Sequence, residues 1–173
     1  MNAREIRSQQ SSRQLGDLLQ SLFSVELLAP SRDLWLVSPW IGDIPILDNR
    51  AGQFQALAPE WDRGRIGLSR VLIYLAGLGT GIHVVTRDEG YNQGFIEEMR
   101  EARRLVPGRI RLHDPSNRLH EKGILAERWY LEGSLNLTPS GISLNQERAL
   151  LHVTPSVIAE NRIEFMNRWP EEA

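Results

Sequence analysis

Short runs of β-branched, aliphatic and aromatic residues alternate along this chain with segments of helical periodicity. That alternation constrains the fold more than any other feature. Leu34–Ile41 (LWLVSPWI), Ile82–Thr86, Arg109–His113, Leu119–Ala126, Trp129–Glu132 and Arg148–Val153 read as strands. Glu127-Arg128 separates two of them, as in a hairpin. Leu15, Leu18, Leu19, Leu22 and Phe23 recur at three- and four-residue spacing, so Ala3–Ala29 reads as a helix stopped by Pro30-Ser31. Further helices are expected over Leu68–Leu78, ended by Gly79, and over Asn92–Leu105, ended by Pro107-Gly108. Leu137–Ser143 reads as a short helix or turn, and Thr154–Trp169 as a last helix with Thr154 at the cap and Pro155 first inside it. Gly42–Arg65 is a long connection rich in turn residues, the kind of loop that often carries function. Alternation of this kind predicts an α/β sandwich with a mixed sheet flanked by helices. Residues 1–30 read as an N-terminal helical arm and residues 31–173 as the domain.

Composition narrows the classes of function. With 173 residues the chain can bury a core without staples, and 41% hydrophobic against 24% charged residues is globular. It has no cysteine, which excludes a disulfide framework, thiolate metal ligands and a cysteine nucleophile. No HExxH pattern or Cys/His cluster announces a zinc site, and no cofactor motif is present. Gly77–Gly81 imitates a dinucleotide loop but sits between helix and strand in the wrong order. No G-x-S-x-G elbow occurs. No secretion signal or membrane-length apolar run is visible, so the expected setting is soluble and cytoplasmic. A net charge of −2 gives no global field to attract nucleic acid, so phosphate binding has to be local. Of the 20 basic residues one is lysine, Lys122.

That lysine lies in the stretch that carries chemistry, LHEKGILAERWYLEGSLNLTPSGISLNQER. His120 and Lys122 are two apart on an expected strand, which would put both on one face. An ammonium there is costly to bury without an anion. A phosphate would supply the anion, with lysine as the charge and histidine as nucleophile or proton shuttle. Ser134 and Asn136, after Gly133, are again two apart and can donate to phosphoryl oxygens. Glu147 could bond one imidazole nitrogen and fix which nitrogen is free.

This pattern resembles the phospholipase D superfamily: H-x-K, four residues, an acidic residue, then Gly-Ser-x-Asn. Here these are His120, Lys122, Glu127, Gly133, Ser134 and Asn136, with Glu147 at the place of the downstream carboxylate that pairs with the histidine. Ser38-Pro39-Trp40 resembles the end of the family's first strand. The resemblance implies a phospholipase D-like sandwich and a metal-independent phosphodiesterase or endonuclease working through a phosphohistidine. His120, Lys122 and Glu147 would be catalytic, and Lys122, Ser134 and Asn136 would bind the phosphate. The family usually has Asp where Glu127 stands, and the hairpin is one residue shorter, so Glu127 receives no chemical role. A single copy of the motif resembles the small bacterial endonucleases, which build one site across a homodimer. A narrower resemblance is to the phospholipase D-like proteins encoded with 7-deazapurine DNA-modification systems, which implies nucleic acid, DNA before RNA, and protein partners from a modification or restriction system.

Two other readings stand beside this one. The chain could be an inactive, phosphate-backbone-binding subunit of a DNA-modification or defence complex, or a phospholipid head-group hydrolase. The latter lacks a basic interfacial helix. His83, His113 and His152 have apolar neighbours and read as packed, hydrogen-bonded residues. Trp40 and Trp61 flank the long loop and are the better candidates for base stacking among five tryptophans. Arg63, Arg65 and Arg118 could form a rim for phosphates.

Overall fold

A computed structural model describes residues 3–7, 12–113, 119–134, 136–143 and 148–170. Nine strands and five helices follow one another among these residues. They are β1 (Ala3–Arg7), α1 (Ser12–Leu28), β2 (Asp33–Val37), β3 (Pro45–Asp48), β4 (Arg65–Gly67), α2 (Leu68–Gly77), β5 (Gly81–Val85) and α3 (Gln93–Leu105). Then come β6 (Ile110–His113), β7 (Gly123–Leu125), β8 (Tyr130–Gly133), α4 (Pro139–Ser143), β9 (Arg148–His152) and α5 (Pro155–Arg168). Seven strands form one mixed sheet in the order β1-β9-β8-β7-β2-β5-β6. β2, β5 and β6 are parallel, and the remaining pairs are antiparallel. The expected α/β sandwich with a mixed sheet is therefore the observed architecture. None of the described helices is long and apolar enough to cross a membrane.

The sheet buries both faces, as the near-continuous apolar runs require. In β2, Leu34 and Leu36 join the larger core with α1, α2 and α3. The alternate residues Trp35 and Val37 join a smaller core with Ile158, Phe165 and Trp169 on the α5 side. Thr154 occupies the cap position of α5 in extended backbone and Pro155 opens the helix, although the threonine side chain makes no capping bond. Gly79 follows α2 at φ 106°, a conformation open to glycine, which ends that helix as expected.

Two expectations need correction. The continuous helix over Ala3–Ala29 is divided: Ala3–Arg7 is an edge strand antiparallel to β9, and the helix starts at Ser12. The helical periodicity holds from Leu15 onward, but Ala3–Arg7 finds an unpaired strand edge to complete, which local sequence does not reveal. In the same first 30 residues, Leu15, Leu19, Phe23 and Leu27 lie at four-residue intervals in the larger core. The connection Gly42–Arg65 is not wholly irregular either. It ends in a two-stranded hairpin, β3 with β4, packed on α1. Asp43 accepts the Ser69 backbone N–H at 2.9 Å and so caps α2. A Cβ on Gly67 would lie 2.3 Å from the Asp43 carboxylate, so only glycine fits there.

Candidate active site

One row of paired residues crosses all seven strands: Glu5, Leu150, Glu132, Gly123, Val37, Val85 and His113. Just beyond it, at one end of the sheet, the chain leaves β2 as Ser38–Ile41 and β5 as Thr86–Asn92. It enters β7 through His120–Lys122 and leaves β8 into Ser134 and Asn136. The antiparallel turn between β7 and β8 thus brings together two polar pairs that are 12 residues or more apart. The carboxyl ends of parallel strands β2 and β5 open at the same place, where α/β sheets bind ligands.

His120 and Lys122 do not occupy a strand, contrary to expectation. The ladder begins at Gly123, and Leu119–Lys122 lead into it without pairing. Strand alternation therefore does not orient the two side chains. Lys122 Nζ turns back to donate to the His120 carbonyl at 3.1 Å, and His120 itself is exposed. Between them, Glu121 pairs with Arg168 of α5 at 2.5 Å, and burial raises its carboxyl above the usual range. The Gly133 N–H donates to the Lys122 carbonyl at 3.3 Å, which ties the H-x-K segment to the Gly-Ser-x-Asn segment. Gly123 is glycine for a packing reason. A Cβ there would meet the Tyr130 ring at 2.8 Å.

Asn136 is held from two sides. The following residue, Leu137, bridges Ile41, donates to the Trp40 carbonyl at 3.1 Å and accepts from the Gly42 N–H at 2.8 Å. Gly141 packs so tightly on the Asn136 carbonyl that a Cβ would come within 2.3 Å. The Asn136 Oδ1 atom is buried and has no hydrogen-bond partner among the described residues. Ser134 is exposed at the same rim. Glu147 and Arg118 lie outside the described residues.

Asn92 was not singled out by sequence reasoning, yet it organises the rim. Fully buried, it accepts the Ile41 N–H at 3.0 Å and donates to the carbonyls of Pro39 at 2.9 Å and Arg87 at 2.7 Å. One side chain thus locks the turns after β2 and β5 together. The Ser38 hydroxyl closes the first of these turns on the Trp40 carbonyl at 2.9 Å. Arg87 donates to the Leu119 carbonyl at 2.7 Å, next to His120, while its Nε is buried without a partner among the described residues. An asparagine or arginine at these positions carries no motif, so only the fold exposes the role.

Other candidates fall elsewhere. Glu127, at the opposite end of the sheet, accepts the Arg32 N–H at 3.1 Å and donates its own N–H to Ser31 Oγ at 3.1 Å. Trp61 is buried against Phe54 and Tyr74, so it is a core residue and not a stacking platform. Arg65 sits on the small hairpin opposite Asp48. His83 stacks on Trp35 with centroids 3.9 Å apart and lies 3.1 Å from His113 Nε2 and 3.5 Å from Asp33. His152 bonds Glu132 at 2.7 Å. All three histidines are packed and partnered, and no group of three potential metal ligands occurs among the described residues.

No protein-family model matches the sequence, and no curated protein matches it. Solved structures do share its fold. Nuc from Salmonella typhimurium, described as a phospholipase D family member, superimposes with a TM-score of 0.64 at 16% identity, over 97% of this chain and 93% of that one. NucT from Helicobacter pylori gives 0.61 at 10% identity, over 96% and 94%. Phosphatidylserine synthase from Haemophilus influenzae gives 0.64 at 14% identity, over 96% of this chain but 38% of its own. Matches along nearly the whole length of two small proteins place this chain in the phospholipase D-like fold.

Proposed function

We propose that this chain is a phosphodiesterase of the phospholipase D superfamily that cleaves nucleic acid, DNA in the first instance, without a metal cofactor. The observation that carries the reading is the convergence of the H-x-K and Gly-Ser-x-Asn segments on one sheet end, in a fold shared with Nuc and NucT over nearly their whole length. In the proposed reaction an imidazole nitrogen of His120 attacks phosphorus, a P–N bond forms and the bond to the leaving oxygen breaks. The partner subunit's His120 donates a proton to that oxygen. It then takes a proton from water, whose oxygen attacks phosphorus and releases the first imidazole. Lys122, Ser134 and Asn136 hold the non-bridging oxygens as charge builds on them, and Glu147 orients the imidazole. A single copy of the motif makes a homodimer with the site at its interface the natural assembly. The resemblance to proteins of 7-deazapurine systems supports reading it as part of a bacterial DNA-modification or restriction context, in the cytoplasm, with protein partners from that system.

The test uses labelled single- and double-stranded DNA, with and without 7-deazaguanine, in excess EDTA at pH 6–7. Wild-type cleavage is expected. His120→Ala should lower it by about 10⁴-fold, since the exposed side chain contributes chemistry and no packing. Asn136→Ala should weaken turnover and leave the protein folded. Failure of the wild type to cut any of these substrates, with tight DNA binding retained, would replace this reading with that of a binding subunit.

A further inference from the structure

Trp40 differs from every other tryptophan in the chain. Trp35, Trp61, Trp129 and Trp169 are all buried in the cores, whereas Trp40 is only partly covered and stands on the site rim. It forms one wall of an open cleft completed by Tyr91, Asn136, Thr138 and Ser140. The Tyr91 ring meets it edge-on, with centroids 6.3 Å apart and planes at 83°. Tyr91 is 54% exposed. Tyr91 lies close over Gly42, and Trp40 is held in place. A Cβ on Gly42 would lie 3.2 Å from the Tyr91 hydroxyl, the Arg87 guanidinium lies 5.7 Å from the Trp40 ring centre, and Asn92 and Ser38 lock the Trp40 backbone. Two aromatic rings at right angles thus border a cleft whose other residues carry hydroxyls and an amide.

We propose that this cleft is a nucleobase subsite, in which the base flanking the scissile phosphate stacks against the Trp40–Tyr91 corner and reaches the polar groups of Asn136, Thr138 and Ser140. The inference rests on the phosphodiesterase reading. Asn136 is common to the phosphate site and the cleft, so a base in the cleft belongs to a nucleotide next to the phosphate. A base stacked in this corner has left its duplex, so the substrate is single-stranded or carries an extruded nucleotide. Arg87 adds positive charge beside the ring without reading sequence.

The experiment titrates His120→Ala protein with a short single-stranded oligodeoxynucleotide and with the same length of wholly abasic phosphodiester backbone. Trp40 is the tryptophan available for stacking, so the base-bearing strand should quench its fluorescence and bind about tenfold or more tightly than the abasic one. Trp40→Phe should keep most of the affinity and lose the quench. Tyr91→Ala should lose affinity for the base-bearing strand alone. Equal binding of the two ligands with no quench overturns the subsite, and wild-type cleavage of both strands in that case would leave the phosphodiesterase reading standing. Quenching and base preference without any cleavage by the wild type would do the reverse. A shift from dimer to monomer in light scattering of Trp40→Ala would reassign the corner to the subunit interface and also overturn the proposal.

Discussion

The two ends of the central sheet use similar residues in opposite ways. At the end reached by the β7–β8 turn, Glu26 is fully buried, and its carboxylate accepts from Ser31 N at 2.9 Å, Trp129 Nε1 at 2.9 Å and Arg128 Nη2 at 3.2 Å. Glu127 closes the same turn onto Ser31 and Arg32. At the other end, Asn136 Oδ1 and Arg87 Nε are buried without partners among the described residues, and His120 is exposed. One end has its polar groups satisfied internally and contributes stability. The other end buries polar atoms that find no partner among the described residues, which costs stability there. His120 and Glu127 are seven residues apart in sequence, yet β7 runs between them and delivers them to opposite ends.

Removing residues 1–30 should have the largest effect. If they were a separable arm, the remaining chain would fold. Leu15, Leu19, Phe23 and Leu27 each contribute about 2 kcal/mol of burial, which together consumes most of a domain's stability of about 5–15 kcal/mol. The truncated protein is expected to be unfolded by circular dichroism, and a cooperative melt would restore the arm. Glu26→Ala comes next. It strands the buried Trp129 and Ser31 donors and leaves Arg128 without its carboxylate, so denaturant melts should show a loss of about 3 kcal/mol. Activity per folded molecule should be unchanged, because the proposed reaction uses only the opposite end of the sheet.

At the open end the order reverses. Gly141→Ala should lower turnover by about tenfold or more with a smaller effect on stability, since the new methyl must displace the Asn136 carbonyl from its position. Steady-state kinetics beside a thermal melt separates the two effects, and an Ala variant with normal turnover would show that Asn136 needs no such support. The smallest effect concerns pH. Burial, reinforced by the charge of His83 and Arg111, lowers the His113 imidazole from 6.5 to about 4. The folded protein therefore binds this proton less readily than the unfolded chain. Its contribution to stability is complete above pH 6.5 and is lost as pH falls toward 4. The melting temperature should decline across that window, and His113→Gln should flatten the decline.

Much of the site was legible because its chemistry is local in sequence. His120 with Lys122, and Gly133, Ser134 and Asn136, are recognisable as short spacings, and a hairpin between them is enough to predict that they meet. The strand alternation expected to align His120 and Lys122 was not legible in the same way, because where a ladder begins depends on its partners, and β2 and β8 start pairing with β7 only at Gly123. Trp40 and Trp61 looked equivalent as residues flanking a loop. Only the β3–β4 hairpin and Tyr74 on α2 decide that Trp61 is core while Trp40 stays at the rim.

Local periodicities and spacings determined the order of elements from α1 onward except the β3–β4 hairpin, the mixed α/β class and the pair of polar motifs, since each of these rests on a few turns of chain. Tertiary structure decided the rest. It made Ala3–Arg7 an edge strand, turned Glu127 away from the site, and made Asn92 the clamp and Gly141 the support beneath Asn136. Each of these depends on a partner far away in the chain, and a contact between distant segments leaves no periodicity for either one to display.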